Sequence, residues 1–117
     1  MYFSDMRGIK EFFKDKVIVI TGASSGIGLA SARLFSTYGA RLSLAARSID
    51  RLEAYAAEMS SDPSRILCTK TDVSVEEDCR NLIEATVRHF GRIDILINNA
   101  GISMRASFKE VDLAVIR

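Results

Sequence analysis

Apolar residues along the chain alternate between two patterns, short uninterrupted runs and longer stretches with helical spacing. The run from Val17 to Ile20 is β-branched and apolar on both faces, which predicts a strand inside a parallel sheet that is covered by helices. Residues 26 to 37 predict a helix that ends at Gly39. The apolar positions at helical spacing in that helix are Ile27, Ala30, Leu34 and Phe35.

The same strand-then-helix unit recurs along the rest of the chain. Its further predicted elements are a strand over Arg41–Ala46, a helix capped by Ser48 and running to about Met59, a strand over Arg65–Lys70, a helix opened by a capping box at Ser74–Glu77 and closed by Gly91, a strand over Ile93–Ile97, and a helix beginning in Val111–Arg117. Strands that alternate with helices predict an α/β fold with a parallel sheet, helices on both faces and right-handed crossovers.

A glycine-rich segment, residues 21–28, lies between the first predicted strand and the first predicted helix. Gly22 allows the chain to turn sharply, Gly26 leaves room for a pyrophosphate to approach the backbone, and Gly28 allows close packing of the helix. Glycines also serve commonly as plain turn residues, so the triplet alone indicates little. Its place after a strand and before a helix favours a dinucleotide site.

Donors for an anion accompany these glycines. Ser24 and Ser25 add hydroxyl groups, and the free amides at the helix start, including that of Ile27, are expected to point at phosphates. The helix dipole favours negative charge at the same place.

The end of the second predicted strand indicates which cofactor is preferred. A site for NAD usually holds an acidic residue here for the ribose 2′-hydroxyl, but this chain has Ala46 followed by Arg47. A guanidinium suits the 2′-phosphate of NADP, so NADP(H) is the expected cofactor and NAD(H) the alternative. The competing interpretation of Arg47 is a solvated side chain at a strand end.

Two further segments follow strands. Asp72, after the third predicted strand, is a candidate acceptor for the adenine amino group or else a turn aspartate before a helix. Residues 98–101, after the fourth predicted strand, supply asparagine amides for backbone or ribose contacts, or else form an asparagine-glycine turn.

Taken in order and spacing, residues 21–28, Asp72-Val73 and residues 98–101 closely resemble the short-chain dehydrogenases/reductases over roughly residues 14 to 117. The resemblance implies a single α/β domain with a doubly wound parallel sheet of the Rossmann type, truncated here to four strands in the order 3-2-1-4. It further implies hydride transfer between a nicotinamide and a carbonyl or alcohol carbon. It also implies that Asp72 and Val73 lie at the adenine ring. Of the last segment, Asn98, Ala100 and Gly101 would line the ribose and nicotinamide side, with Asn99 as a structural partner of the neighbouring strand.

The family's catalytic groups are an asparagine, a serine and a tyrosine-x-x-x-lysine motif. The tyrosines of this chain are Tyr2, Tyr38 and Tyr55, and none has a lysine four residues later. We therefore assign no catalytic residue here. We expect residues 1–117 to be the N-terminal fragment of a longer, homo-oligomeric enzyme acting on a small carbonyl or alcohol. The alternatives are a non-catalytic nucleotide-binding or regulatory module and an inert domain that reuses the fold.

Composition narrows the remaining classes of function. The net charge is +1 and no run of eighteen apolar residues occurs, so neither nucleic acid nor a membrane is an expected partner. Cys68 and Cys79 match no metal-ligand spacing, so no metal is expected. Two structural thiols suit a reducing compartment, and the expected location is the cytoplasm.

Overall fold

The computed structural model describes residues 3–99, with side chains from residue 7 onward. The elements in chain order are α1 (Phe3–Phe13), β1 (Val17–Thr21), α2 (Gly26–Thr37), β2 (Arg41–Ala46), α3 (Ile49–Met59), a short 3₁₀ turn (Pro63–Arg65), β3 (Ile66–Lys70), α4 (Glu76–Phe90) and β4 (Ile95–Ile97). The predicted helix at Val111–Arg117 lies outside the described residues.

The four strands form one parallel sheet in the order β3-β2-β1-β4, as the resemblance implied. β1 lies between β2 and β4, with Ile18 opposite Leu42 on one side and Ile95 on the other. Because all four strands are parallel, their carboxyl ends lie at one edge of the sheet, and the strand order reverses between β1 and β4. In open α/β sheets, ligands bind at such an edge, where the strand order reverses.

Helices cover both faces of this sheet. Ala32 of α2 and Leu52 of α3 pack with Ile18 and Ile20 on one face. Cys79 and Leu82 of α4 pack with Val19 on the other. Every side chain of β1 is fully buried, because neighbouring residues of a strand point to opposite faces and each face here is covered. The structure therefore confirms the prediction that β1 is apolar on both faces because helices cover both sides of the sheet.

Helix α2 presents a different face to the sheet from the one that the apolar spacing indicated. Its buried residues are Gly28 and Ala32, whereas Ile27 is 74% exposed and Leu34 is 49% exposed. The inner face carries small residues because the first turn of α2 packs in close contact with the backbone of the turn that follows β1. A side chain at residue 28 would overlap the carbonyl oxygen of Gly22.

Predicted helix ends are confirmed where glycines close them, at Gly39 with φ 81° and Gly91 with φ 84°. The capping box at the start of α4 was wrong. The Ser74 hydroxyl donates to Asp72 Oδ1 over 2.6 Å, so it is engaged outside the helix, and Val75 is the residue that precedes the first turn. Ser48 does precede α3, but its hydroxyl makes no bond to the helix amides.

Two strand boundaries and one helix also differ from the predictions. β3 begins at Ile66 because Arg65 belongs to the 3₁₀ turn, and β4 begins at Ile95 instead of Ile93. Helix α1 was not predicted at all. It is fixed to the domain by Phe13, whose ring lies 4.9 Å from that of Phe35 and 5.9 Å from that of Tyr38.

Candidate functional site

A cavity of about 630 Å³ opens where β1, β2 and β3 end. Three separate stretches of chain line it. The first, after β1, contributes Gly22, Ser24 and Ser25; the second, from the end of β2 to the first turn of α3, contributes Ala46, Arg47, Ser48 and Arg51; the third, after β3, contributes Thr71, Asp72, Val73 and Ser74. Six residues that the sequence assigned to cofactor binding thus meet in one place: Gly22, Ser24, Ser25, Arg47, Asp72 and Val73. They meet because parallel strands bring their carboxyl ends to the same edge of the sheet.

The turn after β1 forms one wall of this cavity. Gly22 has φ 63° and Gly26 has φ 55°, a conformation that glycine adopts without steric cost. The turn is fixed to the next strand by the Ala23 amide, which donates to the Ala45 carbonyl over 3.1 Å. The local fold therefore requires glycine at two places before any ligand is considered.

The three glycines have different surroundings. A β-carbon at Gly26 would meet nothing within 4 Å, so this position is open to the approach of a ligand. One at Gly28 would lie 2.9 Å from Asn99 Nδ2, besides overlapping the Gly22 carbonyl. Gly28 is therefore required for packing. Gly26, Ile27 and Gly28 are not among the residues that line the cavity itself.

The amino end of α2 retains an uncompensated positive pole. Its first turn contains no acidic side chain, and Ser25, which precedes it, makes no capping bond through its hydroxyl. The first turn of α4, by contrast, carries Glu76, Glu77 and Asp78. Free amides and an unopposed helix dipole favour an anion at α2.

Arg47 is exposed and follows Ala46, which closes β2 and is only 6% exposed. None of Ala46, Arg47 and Ser48 at the end of β2 is acidic. The charge of Arg47 acts across the cavity on Asp72 and contributes to holding the pKa of that carboxyl below its ordinary value. The two strand ends are thus electrostatically linked, and Arg47 is a cation of the cavity wall.

The bonds of Asp72 match one of the two interpretations that its sequence position left open. Its Oδ1 accepts from the Ser74 hydroxyl and, over 3.0 Å, from the Ser74 amide, and these bonds are the main reason for its lowered pKa. This is the turn aspartate. Its Oδ2 accepts no hydrogen bond from the described residues and remains available at the cavity.

The fourth strand end lies beside the first. Asn98 Oδ1 accepts from the Thr21 hydroxyl over 3.1 Å, so Asn98 is bonded to the neighbouring strand. The family resemblance implied that role for Asn99, but the side chain of Asn99 lies against Gly28. Ala100 and Gly101 lie outside the described residues.

Four lining residues were missed from the sequence: Ser48, Arg51, Thr71 and Ser74. The signal for Arg51 was its position in the first turn of the predicted helix that follows Arg47. Thr71 is buried, with its hydroxyl bonded to the Thr69 carbonyl, and only the folded chain shows that it reaches the cavity.

A second, larger groove of about 820 Å³ runs along β3 and α3. It is lined by such residues as Ala56, Pro63 and Cys68, and His89 at its border bonds the Ser64 carbonyl over 3.0 Å. Burial and the nearby Glu53 raise the pKa of the Cys68 thiol to about 11, which favours the protonated thiol over the nucleophilic thiolate at neutral pH. The groove lies alongside the sheet and holds neither glycine turn nor cation pair, so we locate the candidate site in the smaller cavity.

Other groups in the described part of the chain do not enter this cavity. Tyr38 stacks on Phe13, and Tyr55 lies under the Arg33 guanidinium.

Within residues 7–99, no three His, Cys, Asp or Glu side chains are grouped so as to hold a metal ion. No helix in the same part is both long and apolar enough to cross a bilayer.

The sheet order, the glycine turn and the cavity at the strand ends define an α/β domain of the Rossmann type. The family model for short chain dehydrogenases matches residues 16–117, and the chain belongs to that family of enzymes. The chain is 52% identical over 97 residues to an uncharacterized oxidoreductase of Staphylococcus saprophyticus, covering 83% of this chain and 38% of the relative.

Solved structures agree with this assignment. The L-sorbose reductase of Gluconobacter frateurii, solved with NADPH and L-sorbose, is 43% identical with a TM-score of 0.71, over 77% of this chain and 35% of that one. A 3-ketoacyl-(acyl-carrier-protein) reductase of Brucella melitensis, solved with NADH, is 38% identical with a TM-score of 0.70, over 77% and 36%. The chain thus spans little more than a third of the length of these proteins.

Proposed function

We propose that this chain is the dinucleotide-binding part of an NADP(H)-dependent oxidoreductase, which moves a hydride between the nicotinamide and a carbonyl or alcohol carbon. The nicotinamide supplies or accepts the hydride when the cofactor is bound. Relatives with either NADPH or NADH are known, so cofactor choice has to be argued from this chain's own residues.

One observation carries the proposal. The glycine turn after β1, an arginine instead of an acidic residue at the end of β2 and an aspartate after β3 line the same cavity. In this proposal Gly22, Ser24 and Ser25 bind the pyrophosphate together with the first amides of α2, from Gly26 to Gly28. These groups are donors that need no rearrangement, because the turn is already fixed to β2.

The same proposal assigns the other ends of the cofactor. Arg47 pairs with the 2′-phosphate, since Ala46 offers no acceptor to a 2′-hydroxyl. Asp72 accepts from the adenine amino group through its unused Oδ2, and Val73 packs on the ring. Asn98, with Ala100 and Gly101, lines the ribose and nicotinamide side, where its bond to Thr21 orients the carboxamide.

The parent enzyme is proposed to act on a small carbonyl or alcohol compound, to be homo-oligomeric and to work in the cytoplasm, where free thiols such as Cys68 and Cys79 persist. The 117-residue chain alone is expected to bind the cofactor without turning it over. Neither Tyr38 nor Tyr55 offers a proton to the cavity, and hydride transfer requires a proton donor within reach of the reacting oxygen.

Calorimetric titration with NADP⁺ and NAD⁺ tests this function. We expect tighter binding of NADP⁺. We also expect Arg47→Asp to weaken NADP⁺ binding by about 1–3 kcal/mol, because it removes a charged hydrogen bond. Arg88→Asp, an equal change of charge in the last turn of α4, serves as the control. Equal affinities of the unmodified chain for the two cofactors would overturn the proposed preference.

The alternative of a non-catalytic nucleotide-binding module predicts the same binding by this chain. The two hypotheses make different predictions for the activity of the parent protein. NADPH oxidation by the parent with a panel of small carbonyl compounds supports the enzyme, whereas binding without turnover by the parent supports the module.

A further inference from the structure

A second guanidinium lies at the same cavity as Arg47, on helix α3. Arg51 stands in the first turn of that helix and lines the cavity with Arg47 and Ser48. The sequence pattern of the family did not point to it, and the proposed function so far gives it no role.

The donors of this group are uncommitted among the described residues. Neither Arg47 nor Arg51 makes an ion pair or hydrogen bond with a described residue, and the Ser48 hydroxyl makes no capping bond. Four other arginines each pair with a carboxylate, and these are Arg33, Arg65, Arg80 and Arg92, whereas Arg7, Arg41 and Arg88 form no ion pair with a described residue. Two unpaired guanidiniums and a free hydroxyl at one cavity form a donor set without an acceptor.

The acidic groups nearby do not supply that acceptor. Asp50 stands in the same helix turn as Arg51 but is not among the residues that line the cavity. Asp72 is the one carboxylate in the lining, and the charge of Arg47 acts on it across the cavity, but Asp72 forms no hydrogen bond or ion pair with Arg47 or Arg51. The side of the cavity formed by the start of α3 therefore carries a net positive charge.

We infer that Arg51 is a specificity-determining residue, which binds the 2′-phosphate of the nucleotide together with Arg47 and the Ser48 hydroxyl. The inference rests on the proposed function and deepens it. Two guanidiniums provide a fork of donors on two sides of one phosphate, which a single arginine cannot provide. Cofactor preference then depends on both arginines, and loss of either one reduces it.

Two small probes separate the 2′-phosphate from the rest of the cofactor. Adenosine 2′,5′-bisphosphate carries that phosphate, and adenosine 5′-monophosphate lacks it. Both are titrated calorimetrically into the 117-residue chain and into Arg51→Gln, Arg47→Gln and Arg88→Gln. Gln keeps a good helix former at the exposed position 51, so the fold is retained. Arg88→Gln removes one charge from an exposed site on α4, which is not part of the cavity.

We expect Arg51→Gln to weaken binding of the bisphosphate about tenfold, equivalent to ~1.4 kcal/mol, and to leave the monophosphate unchanged. Arg51→Lys, which retains the charge but not the fork, recovers part of the loss. Arg88→Gln changes neither affinity. If the unmodified chain shows no preference for the bisphosphate, the proposed function fails. If the preference exists and is lost in Arg47→Gln but kept in Arg51→Gln, only the role of Arg51 is overturned.

Discussion

The hydroxyl of Thr21 donates to the carboxamide oxygen of Asn98 over 3.1 Å and thereby ties the carboxyl end of β1 to that of β4. Thr21 is fully buried, whereas Asn98 is half-buried at the end of β4. The bond therefore holds the side chain of a candidate cofactor-binding residue against a fixed residue of the core. Thr21→Val preserves the shape and removes the donor.

We therefore expect Thr21→Val to lower the free energy of unfolding by about 0.5–1.5 kcal/mol, measured by urea denaturation. Thr37→Val is the control, since its hydroxyl bonds only a carbonyl of its own exposed helix end. A variant at Thr21 as stable as the unmodified chain would show that the bond contributes nothing to the fold.

Gly26 provides a test of the phosphate approach. Gly26→Val places a branched side chain in open space at φ 55°, and Gly91→Val does the same at φ 84° at the far end of α4. Both changes carry a backbone cost of about 1–2 kcal/mol or more, because a side chain disfavours positive φ. Only Gly26→Val should abolish nucleotide binding, as followed by calorimetry on variants that circular dichroism shows to be folded. Unchanged affinity of a folded Gly26→Val chain would reduce this glycine to a turn residue.

A buried hydroxyl pair links the sheet to α4. Ser43 Oγ lies 2.6 Å from Thr86 Oγ1, and the Thr86 hydroxyl donates to the Leu82 carbonyl, so the Ser43 hydroxyl must be the donor of the pair. Thr86→Val leaves that donor buried without an acceptor and should cost about 1–3 kcal/mol. Ser43→Ala should cost less, because Thr86 keeps its bond to Leu82.

Denaturation of the double variant completes this cycle. Adding Ser43→Ala to Thr86→Val removes the stranded donor, so the pair of changes should cost less than the sum of the two. Strict additivity would mean that the two hydroxyls do not interact.

Asp94 predicts an acid dependence of stability. Burial works against ionisation, but hydrogen bonds from Arg92 and the Val17 amide together hold the pKa of the carboxyl below its ordinary 3.8. A carboxyl with a lowered pKa in the folded state adds stability above the ordinary pKa. That stability is lost as the pH falls through the lower folded pKa. Asp94→Asn should thus be less stable at pH 7 and lose less stability on acidification below 3.8.

Thermal melts between neutral and strongly acidic pH measure this difference. Glu84→Gln, an exposed carboxylate on α4, provides the comparison. If Asp94→Asn and the unmodified chain lose stability in parallel over the acid range, the carboxylate is not stabilised by the fold.

The sequence predicted those features that local residue chemistry determines. An apolar run such as Val17–Ile20 indicates a buried strand, and Gly39 and Gly91 end their helices with positive φ. The sheet order came from the family resemblance, which spacing alone could not supply.

The features that could not be predicted from the sequence depend on how helices and strands pack against each other in three dimensions. Ile27 was expected on the inner face of α2, but the contact at Gly28 turns Ile27 outward. Asn98 and Asn99 cannot be told apart until β4 is placed beside β1. Arg51 reaches the cavity only because α3 begins directly after β2 and presents its first turn there.

The location of the nucleotide is the central claim, and backbone amide shifts on titration with NADP⁺ test it most directly. The account predicts perturbations at Gly22, Ser25, Arg47 and Ser74, around the cavity at the strand ends, with amides of the β3 groove such as Ala56 and Ser64 unmoved. Perturbations confined to the groove along β3, or none at saturating NADP⁺, would contradict it.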